Sequence, residues 1–299
     1  MGQSFVPPAP VIYLVEPFGG SIRRQNAQTP HVFWDDAAVT RGDGVFETVL
    51  VRGGEPRNVD KHLARFRRSA ESMGLPEPVG EQWLKATREA IEDYVRERGA
   101  EAGDVEAKCM WTLTRGRETT GVPTAWLTVR PIGEDVLRQR DRGVKVITTP
   151  RGYTVDPDVP WLGAEAKTLN YSATMAALRW ARGEGFEDVI FTERGTDRVL
   201  EGATSSVLVV KKGGRMRTPA PGPGVLRGTT QTAVFELAAK RGWKCKEKDV
   251  YLSELLKAES VWLVSSTRIC ARVTKLNDAK LPAPPNEAEI RELIADALA

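Results

Sequence analysis

The apolar and polar positions of the first 130 residues alternate between the period of a strand and the period of a helix. Runs rich in β-branched residues predict strands at residues 11–15, 45–52, 105–114 and 125–130. Apolar positions that recur every three or four residues predict helices at residues 60–74 and 81–97. Gly53 and Gly54 predict a hairpin turn, and the last two strands should pair antiparallel around loop 115–123.

The second half of the chain shows the same mixture of short elements. Strand-like runs lie at residues 144–149, 188–192, 198–201, 205–211 and 261–265. Helix-like runs lie at residues 170–182, 230–241 and 287–298. A loop rich in Pro, Gly and Asp leads to Gly163. This mixture predicts an α+β protein rather than a doubly wound parallel sheet.

The segment between the two halves is poor in apolar residues and rich in charged ones. We therefore expect a small domain at residues 1–130, a linker at 131–143 and a larger domain at 144–299. The length of 299 residues, about twice that of a typical single domain, agrees with two domains.

Two residue types that often carry chemistry are scarce. The two histidines, His31 and His62, cannot supply a multi-histidine metal site. Cys109, Cys245 and Cys270 are odd in number and far apart, so neither a zinc site nor a disulfide framework is expected. We expect no metal and a reducing cytoplasm.

Charge and hydropathy exclude several further classes of protein. The net charge of +3 is too small and too dispersed to indicate nucleic-acid binding. No run reaches the roughly 18 apolar residues of a membrane span. Residues 1–10 lack the basic segment of a secretory signal, so we expect a cytoplasmic protein.

Three places could carry chemistry without histidine. Residues 221–230 form a Pro/Gly loop that ends in Gly228-Thr229-Thr230 and opens onto a helix, which favours phosphate binding but is also typical of an ordinary N-cap. Lys167 lies between an irregular loop and an apolar helix, and Glu201 ends a strand. Taken alone, Lys167 and Glu201 are also typical of solvated residues.

Short blocks of the sequence, taken together, resemble a known family. They are residues 41–48 (RGDGVFET), 62–65 (HLAR), 167–171 (KTLNY), 201–206 (EGATSS), 226–230 (LRGTT) and 265–267 (SST). They resemble class IV (fold-type IV) pyridoxal 5′-phosphate (PLP) enzymes, which include branched-chain aminotransferases, D-amino-acid aminotransferases and 4-amino-4-deoxychorismate lyases. The resemblance covers nearly the whole chain. It implies a D-amino-acid aminotransferase-like fold with a small N-terminal α/β sandwich and a larger C-terminal domain of mixed strands and helices.

The resemblance also implies roles for individual residues. Lys167 would hold PLP as a Schiff base and later carry a proton, and Glu201 would keep the pyridine nitrogen protonated. Tyr171 would donate a hydrogen bond to the ring hydroxyl. The cofactor phosphate would be bound by Arg65, Thr229, Thr230 and Ser266. Without the resemblance, Arg65 would be read as a surface residue of a helix.

Two features of the substrate side resemble the lyases more than the aminotransferases. Thr48 follows Val-Phe-Glu, and loop 115–123 lacks the histidine of the Arg-x-His carboxylate trap of D-amino-acid enzymes. The resemblance therefore implies an aminodeoxychorismate lyase, which releases pyruvate and forms 4-aminobenzoate for folate biosynthesis. Lys167 would remove the C4 proton and Thr48 would assist proton delivery. Arg115 or Arg117 would bind a substrate carboxylate, although Arg117 is equally typical of a solvated loop.

Other functions stay open at this point. An aminotransferase that acts on branched-chain or D-amino acids with 2-oxoglutarate would need the same cofactor residues. Arg268 stands where aminotransferases often carry an acidic residue, which leaves the substrate side undecided. A non-catalytic PLP-binding homologue is a third alternative, against which the intact Lys167, Glu201 and Arg65 argue. The resemblance also implies a homodimer that acts on a small molecule.

Overall fold

The computed structural model describes residues 9–153 and 166–299. The described residues within Met1–Gly133 and Lys167–Asn170 form one compact unit, and those within Glu134–Ala166 and Tyr171–Ala299 form a second. Most of the predicted loop before Gly163, and most of the first ten residues, lie outside the described residues. Within the described ranges, no helix has the length and apolar composition of a membrane span.

The first unit is built around an antiparallel sheet. Its elements are β1 (Val11–Val15), β2 (Ile22–Gln25), α1 (Ala37–Thr40), β3 (Gly44–Arg52), β4 (Glu55–Pro56), α2 (Val59–Ser72), α3 (Gly80–Arg98), a 3-10 turn (Ala102–Asp104), β5 (Glu106–Thr114) and β6 (Thr124–Pro131). The strand order is β2-β1-β6-β5-β3-β4. The predicted antiparallel pair is confirmed as β5 and β6.

One face of this sheet packs against α2 and α3. Val45, Val49 and Val51 of β3 alternate along the strand and join a buried core with Phe66 of α2 and Trp83 of α3. The two aromatic rings meet edge to face, with centroids 4.9 Å apart. Burial of each such side chain contributes about 1.5–3 kcal/mol to the free energy of unfolding. This core holds β3 and α2 in a fixed register.

The second unit contains a mixed sheet. Its elements are α4 (Glu134–Arg142), β7 (Val144–Pro150), α5 (Ser172–Gly183), β8 (Asp188–Thr192), β9 (Val199–Gly202), β10 (Ser206–Lys211), β11 (Arg215–Thr218), α6 (Thr229–Lys240), β12 (Lys244–Glu247), α7 (Leu252–Leu256), β13 (Ser260–Ser265), β14 (Ile269–Leu276), β15 (Ala279–Lys280) and α8 (Glu287–Asp296). The strand order is β12-β11-β10-β13-β14-β7-β8-β9, with β15 beside β14. Parallel pairs (β11 with β12, and β7 with both β14 and β8) occur among antiparallel ones, in agreement with the α+β prediction.

The segment predicted as a linker, residues 131–143, is largely helical. Helix α4 belongs to the second unit and has Glu134 and Asp135 in its first turn and Arg140 and Arg142 in its last. This distribution complements the helix dipole, and no residue of α4 is buried. Low apolar content is therefore typical of a surface helix in this segment.

Candidate functional site

A buried charged cluster joins β3 to α2 in the first unit. Glu47 has no exposed surface and accepts two hydrogen bonds from Arg65, Nε to Oε1 at 2.6 Å and Nη2 to Oε2 at 2.8 Å. His62 lies three residues before Arg65 on the same helix face, and its Nδ1–H donates to Glu47 Oε2 at 2.7 Å. We call Glu47, His62 and Arg65 the charged cluster.

The charged cluster changes the protonation of its members. Burial opposes a charged Glu47, but its ion pairs and hydrogen bonds with Arg65 and His62 outweigh burial and lower the pKa of Glu47 to about 2. Burial also lowers the pKa of His62, and this effect exceeds the opposite effect of Glu47. At neutral pH, Glu47 is therefore ionised and His62 neutral.

Lys167 is held by the first unit, although the sequence analysis places it in the larger domain. Its backbone N–H donates to Ser69 Oγ of α2 at 3.0 Å, and its carbonyl accepts from the Phe46 N–H of β3 at 3.0 Å. The amine Nζ lies 4.2 Å from the centroid of the Phe46 ring. The difference arises because the hydrogen bonds of this segment go to β3 and α2.

Thr48 lies on the same strand as Phe46. Alternate residues of a strand point to the same face, so Phe46 and Thr48 share one face of β3 while Glu47 points to the other. The amine of Lys167 contacts the ring of Phe46 on that face. Thr48 is half-buried, and its Cα partner on β5 is Met110.

The two arginines predicted to bind a substrate carboxylate are paired with aspartates of this chain. Arg115 Nε donates to Asp43 Oδ2 at 2.7 Å, and the same guanidinium donates to the carbonyls of Met73 and Gly74 after α2. Arg117 Nε donates to Asp35 Oδ1 at 2.9 Å. That hydrogen bond is the largest cause of the lowered pKa of Asp35. Their role in substrate binding stays a prediction.

Glu201 ends β9 in the second unit and is bound on both carboxylate oxygens. Oε1 accepts from Arg151 Nη2 at 2.7 Å, and Oε2 accepts from the Leu226 backbone N–H at 3.1 Å. Leu226 belongs to the Pro/Gly loop before α6, so Glu201 fixes this loop. A carboxylate has about four acceptor sites, which leaves room for a further donor.

The N-terminus of α6 has the donor set that a phosphate needs. Its N-cap is Gly228, so no side chain caps the first backbone N–H groups, and the first turn holds no acidic residue. Thr230 Oγ1 is buried without a hydrogen-bond partner among the described residues. A Cβ on Gly228 would lie 2.2 Å from Ser206 Oγ, so any other residue here would require the Ser206 hydroxyl to rotate away. Thr229 is also buried. These observations fit a phosphate group.

Ser266 is buried in a tight turn between β13 and β14, and α6 packs against β13. Two arginines hold this turn. Arg140 donates to the Thr267 carbonyl, and Arg268 forms a buried ion pair with Asp188 at 2.6 Å. Ile269 follows with φ of +59°, an unfavourable backbone conformation for a β-branched residue. Arg268 is thus paired inside the protein at the position where aminotransferases often carry an acid.

Tyr171 belongs to the second unit and is the N-cap residue of α5. Its carbonyl accepts from the Met175 N–H at 2.8 Å. The predicted hydrogen bond to a cofactor stays a prediction.

The sequence motifs assign no role to four residues that contact predicted site residues or their turns, namely Glu47, Ser69, Arg151 and Arg268. A signal existed for Glu47, since a charged residue among the apolar positions of a strand needs a buried partner. A weaker signal existed for Ser69, which follows Arg65 by one helical turn. Arg151 lies in irregular sequence, where no local pattern marks it.

Among the described residues, no three His, Cys, Asp or Glu side chains cluster as metal ligands. All three cysteines are free thiols, and Cys109 and Cys270 are buried. Burial raises the pKa of the Cys109 thiol to about 12, so it stays protonated.

The chain is similar to known proteins over nearly its whole length. A bifunctional aminodeoxychorismate lyase / D-amino acid transaminase of Mycobacterium tuberculosis is 40% identical over 278 residues, which cover 90% of this chain and 94% of the relative. A structure described as a hypothetical aminotransferase from M. tuberculosis in PLP-bound form is 38% identical and superimposes with a TM-score of 0.89 over 96% of this chain and 99% of the other. A fold IV transaminase from Curtobacterium pusillum is 37% identical, with a TM-score of 0.88 and 98% of both chains covered.

These similarities decide the family and the fold. The fold matches that of fold-type IV aminotransferases, as the sequence predicts. The family and the PLP-bound relative support pyridoxal phosphate as the cofactor. The model of the family described as amino-transferase class IV matches residues 44–276. The chain therefore belongs to the class IV aminotransferases, a family of PLP-dependent enzymes that act on small molecules.

Proposed function

We propose that this enzyme is a 4-amino-4-deoxychorismate lyase that forms 4-aminobenzoate and pyruvate. The observation that carries the proposal is the placement of Lys167 and Thr48. The lysine amine contacts Phe46, and Thr48 shares the face of β3 from which the Phe46 ring projects. An elimination needs a base for the proton and a donor for the leaving group, and these two side chains provide both.

The family resemblance implies which residues would hold the cofactor. Lys167 would bind it covalently, and Arg65, Thr229, Thr230 and Ser266 would bind its phosphate. Glu201 would accept a hydrogen bond from the protonated ring nitrogen and Tyr171 would donate one to the ring hydroxyl. Bound PLP supplies an electron sink for negative charge on the substrate carbon next to the amine.

Two residues of this chain would carry the proton transfers of the elimination. Lys167 Nζ takes the proton from C4 of aminodeoxychorismate, and the bond between the adjacent carbon and the enolpyruvyl oxygen breaks. The ring becomes aromatic as 4-aminobenzoate. Thr48 Oγ1 would deliver a proton to the departing enolpyruvyl group, which becomes pyruvate. Arg115 or Arg117 would bind a substrate carboxylate by exchanging its present aspartate partner for the substrate.

D-amino-acid transamination is a second candidate activity. It is favoured by one specific observation, the 40% identical relative named for both activities. Both reactions begin with removal of a proton from the carbon that bears the amine, so Lys167 would serve each of them.

We also propose that the enzyme is a cytoplasmic homodimer, as the family resemblance implies. Light scattering of the purified protein should give twice the chain mass of 32.9 kDa. A single-chain mass across the working concentration range would contradict a dimer.

Replacement of Lys167 tests the cofactor assignment. Wild-type protein should bind PLP with a visible absorption band that borohydride removes, and peptide mapping should find the fixed cofactor on Lys167. Lys167→Ala should lose the fixed cofactor and all turnover. Lys145→Ala, an exposed lysine of β7, is the matched control and should keep both. Wild-type protein without the band after incubation with PLP would contradict the cofactor assignment.

Substrate assays separate the two activities. Enzymatically prepared aminodeoxychorismate, without any oxo-acid, should yield equal amounts of pyruvate and 4-aminobenzoate. If neither product forms, while D-amino acids or branched-chain amino acids lose their amine to 2-oxoglutarate, transamination replaces lyase activity as the function.

A further inference from the structure

Ser69 is a buried polar residue of α2 that contacts the backbone of the predicted cofactor lysine. It follows Arg65 by four residues and His62 by seven, so all three lie on one face of the helix. Only 1% of its surface is exposed. Its hydroxyl oxygen accepts the Lys167 backbone N–H at 3.0 Å, across 98 residues of sequence.

The opposite side of the same backbone is fixed by β3. The Phe46 N–H donates to the Lys167 carbonyl at 3.0 Å, and the Leu169 N–H donates to the Gly44 carbonyl at 2.9 Å. Thr168 pairs with Val45 between these bonds. A Cβ at Gly44 would lie 2.8 Å from both the Leu113 carbonyl and the Leu169 side chain, so glycine permits this approach.

The bonds to β3 and the bond to Ser69 hold different parts of the lysine segment. The bonds to β3 hold the Lys167 carbonyl and the Leu169 N–H, and so place Lys167–Leu169 along the strand edge. The bond to Ser69 holds the Lys167 N–H, and with it the peptide unit before Lys167 and the direction of its Cα–Cβ bond. That direction carries Nζ to the Phe46 ring, 4.2 Å from its centroid.

We propose that Ser69 is a positioning residue for Lys167, one that aims the amine by holding the Lys167 N–H. The inference rests on the proposed function of Lys167 as the lysine that binds the cofactor. Catalysis is sensitive to displacements of about 1 Å, so a loosened lysine should lose rate more than substrate affinity.

Ser69→Ala tests this role, with Ser72→Ala as the matched control. Ser72 is an exposed serine of the same helix. In Ser69→Ala holoenzyme, kcat should fall roughly ten- to hundredfold with KM nearly unchanged. The pH midpoint of the visible cofactor band should shift, because the environment of Nζ changes. Ser69→Thr, which keeps the hydroxyl, should restore both quantities, and Ser72→Ala should change neither.

Hydrogen exchange of the protein without PLP gives a readout independent of activity. The Lys167 amide should exchange roughly tenfold faster in Ser69→Ala than in Ser72→Ala. If Ser69→Ala does not fold, hydrogen exchange of the wild-type protein still tests the hydrogen bond from the Lys167 N–H to Ser69. Its Lys167 amide should be protected relative to the exposed Asn170 amide, and equal exchange at the two positions would overturn the inference.

The outcomes separate this inference from the function on which it rests. Fixed cofactor on a residue other than Lys167 would overturn the proposed function and the role of Ser69 together. Cofactor on Lys167, with Ser69→Ala equal to Ser72→Ala in kcat, pH midpoint and exchange, would overturn the positioning role alone.

Discussion

The charged cluster of the first unit and the N-terminus of α6 in the second unit differ in whether their buried polar side chains have hydrogen-bond partners. Both oxygens of Glu47 are bonded to Arg65, and one also to His62. Thr230 is equally buried, yet its hydroxyl has no partner among the described residues.

The charged cluster is therefore already organised by its own bonds, whereas the N-terminus of α6 has a hydroxyl available to bond a ligand. A satisfied buried ion pair is costly to break, so the charged cluster should hold the geometry of β3 and α2 whether or not PLP is bound. An unsatisfied hydroxyl costs stability until a ligand bonds to it. Stability should therefore depend on the charged cluster, and cofactor affinity on the N-terminus of α6.

Glu47→Ala should give the largest loss of stability. The substitution leaves Arg65 and His62 buried without their carboxylate, which should lower the free energy of unfolding by about 3–5 kcal/mol. Urea unfolding followed by tryptophan fluorescence measures the change, because Trp83 and Trp111 lie in the core of the same unit.

Glu106→Ala is the control for Glu47→Ala. Glu106 pairs with Arg52 on the same sheet, but both side chains are about one-third exposed. Its replacement should cost only about 0–1 kcal/mol. Equal losses from the two variants would show that the charged cluster does not stabilise the first unit.

Acid should weaken the first unit in two steps. Both His62 and Glu47 have pKa values below their ordinary ones in the folded state, so the unfolded chain binds protons more readily. The contribution of these two groups to the free energy of unfolding should be complete above about pH 6.5. It should decrease below that pH as His62 of the unfolded chain takes up a proton. It should decrease further between pH 4.5 and about 2 as Glu47 is protonated.

Urea midpoints measured from pH 7.5 downward check this dependence. Each group can contribute at most about 1.4 kcal/mol for every pH unit between its unfolded and folded pKa. His62→Gln, which keeps a donor but cannot titrate, should flatten the curve above pH 5. An unchanged curve in that variant would assign the acid sensitivity to other groups.

Thr230→Val should have the smallest effect on stability, because the Thr230 hydroxyl, unlike Glu47, has no hydrogen-bond partner among the described residues. Valine has the same shape without the unpaired hydroxyl, so stability without PLP should be unchanged or higher by up to about 1 kcal/mol. PLP affinity should fall about tenfold, because a bond to the phosphate is lost. Equilibrium dialysis and urea unfolding measure the two effects.

Thr232→Val provides the opposite pattern on the same helix. The Thr232 hydroxyl donates to the Gly228 carbonyl at 2.9 Å. This variant should lose about 1 kcal/mol of stability and keep its PLP affinity. A loss of stability in Thr230→Val as large as in Thr232→Val would show that the Thr230 hydroxyl is already satisfied within the protein.

Local signals predicted the fold where they were strong. Gly53 and Gly54 adopt φ of +62° and +72°, as the hairpin turn requires, and Gly99 ends α3 with φ of +56°. The strands β2, β11 and β12 are short and rich in charged residues, so no apolar period marks them. In β14, Arg272 and Lys275 interrupt the apolar pattern, and pairing with β13 and β7 decides the structure.

The site was predictable as motifs but not as contacts. Lys167, Glu201 and Arg65 stand out through family blocks, and their proposed roles come from those blocks. The bond from Lys167 to Ser69 joins residues 98 positions apart, and no local pattern encodes such a bond. The membership of Lys167–Asn170 in the first unit follows from this bond and from the pairing with β3.

The pairing of β3 with the lysine segment joins two parts of the chain that leave the ribosome at different times. β5 covers one side of β3 along its whole length, but at Gly44–Phe46 the other side pairs with Lys167–Leu169. A nascent chain that ends before Lys167 presents an open strand edge, which is the kind of edge that recruits other chains into aggregates. Once the lysine segment has left the ribosome it can cover that edge, so we expect the pairing that places the proposed catalytic amine also to reduce misassembly of the nascent chain.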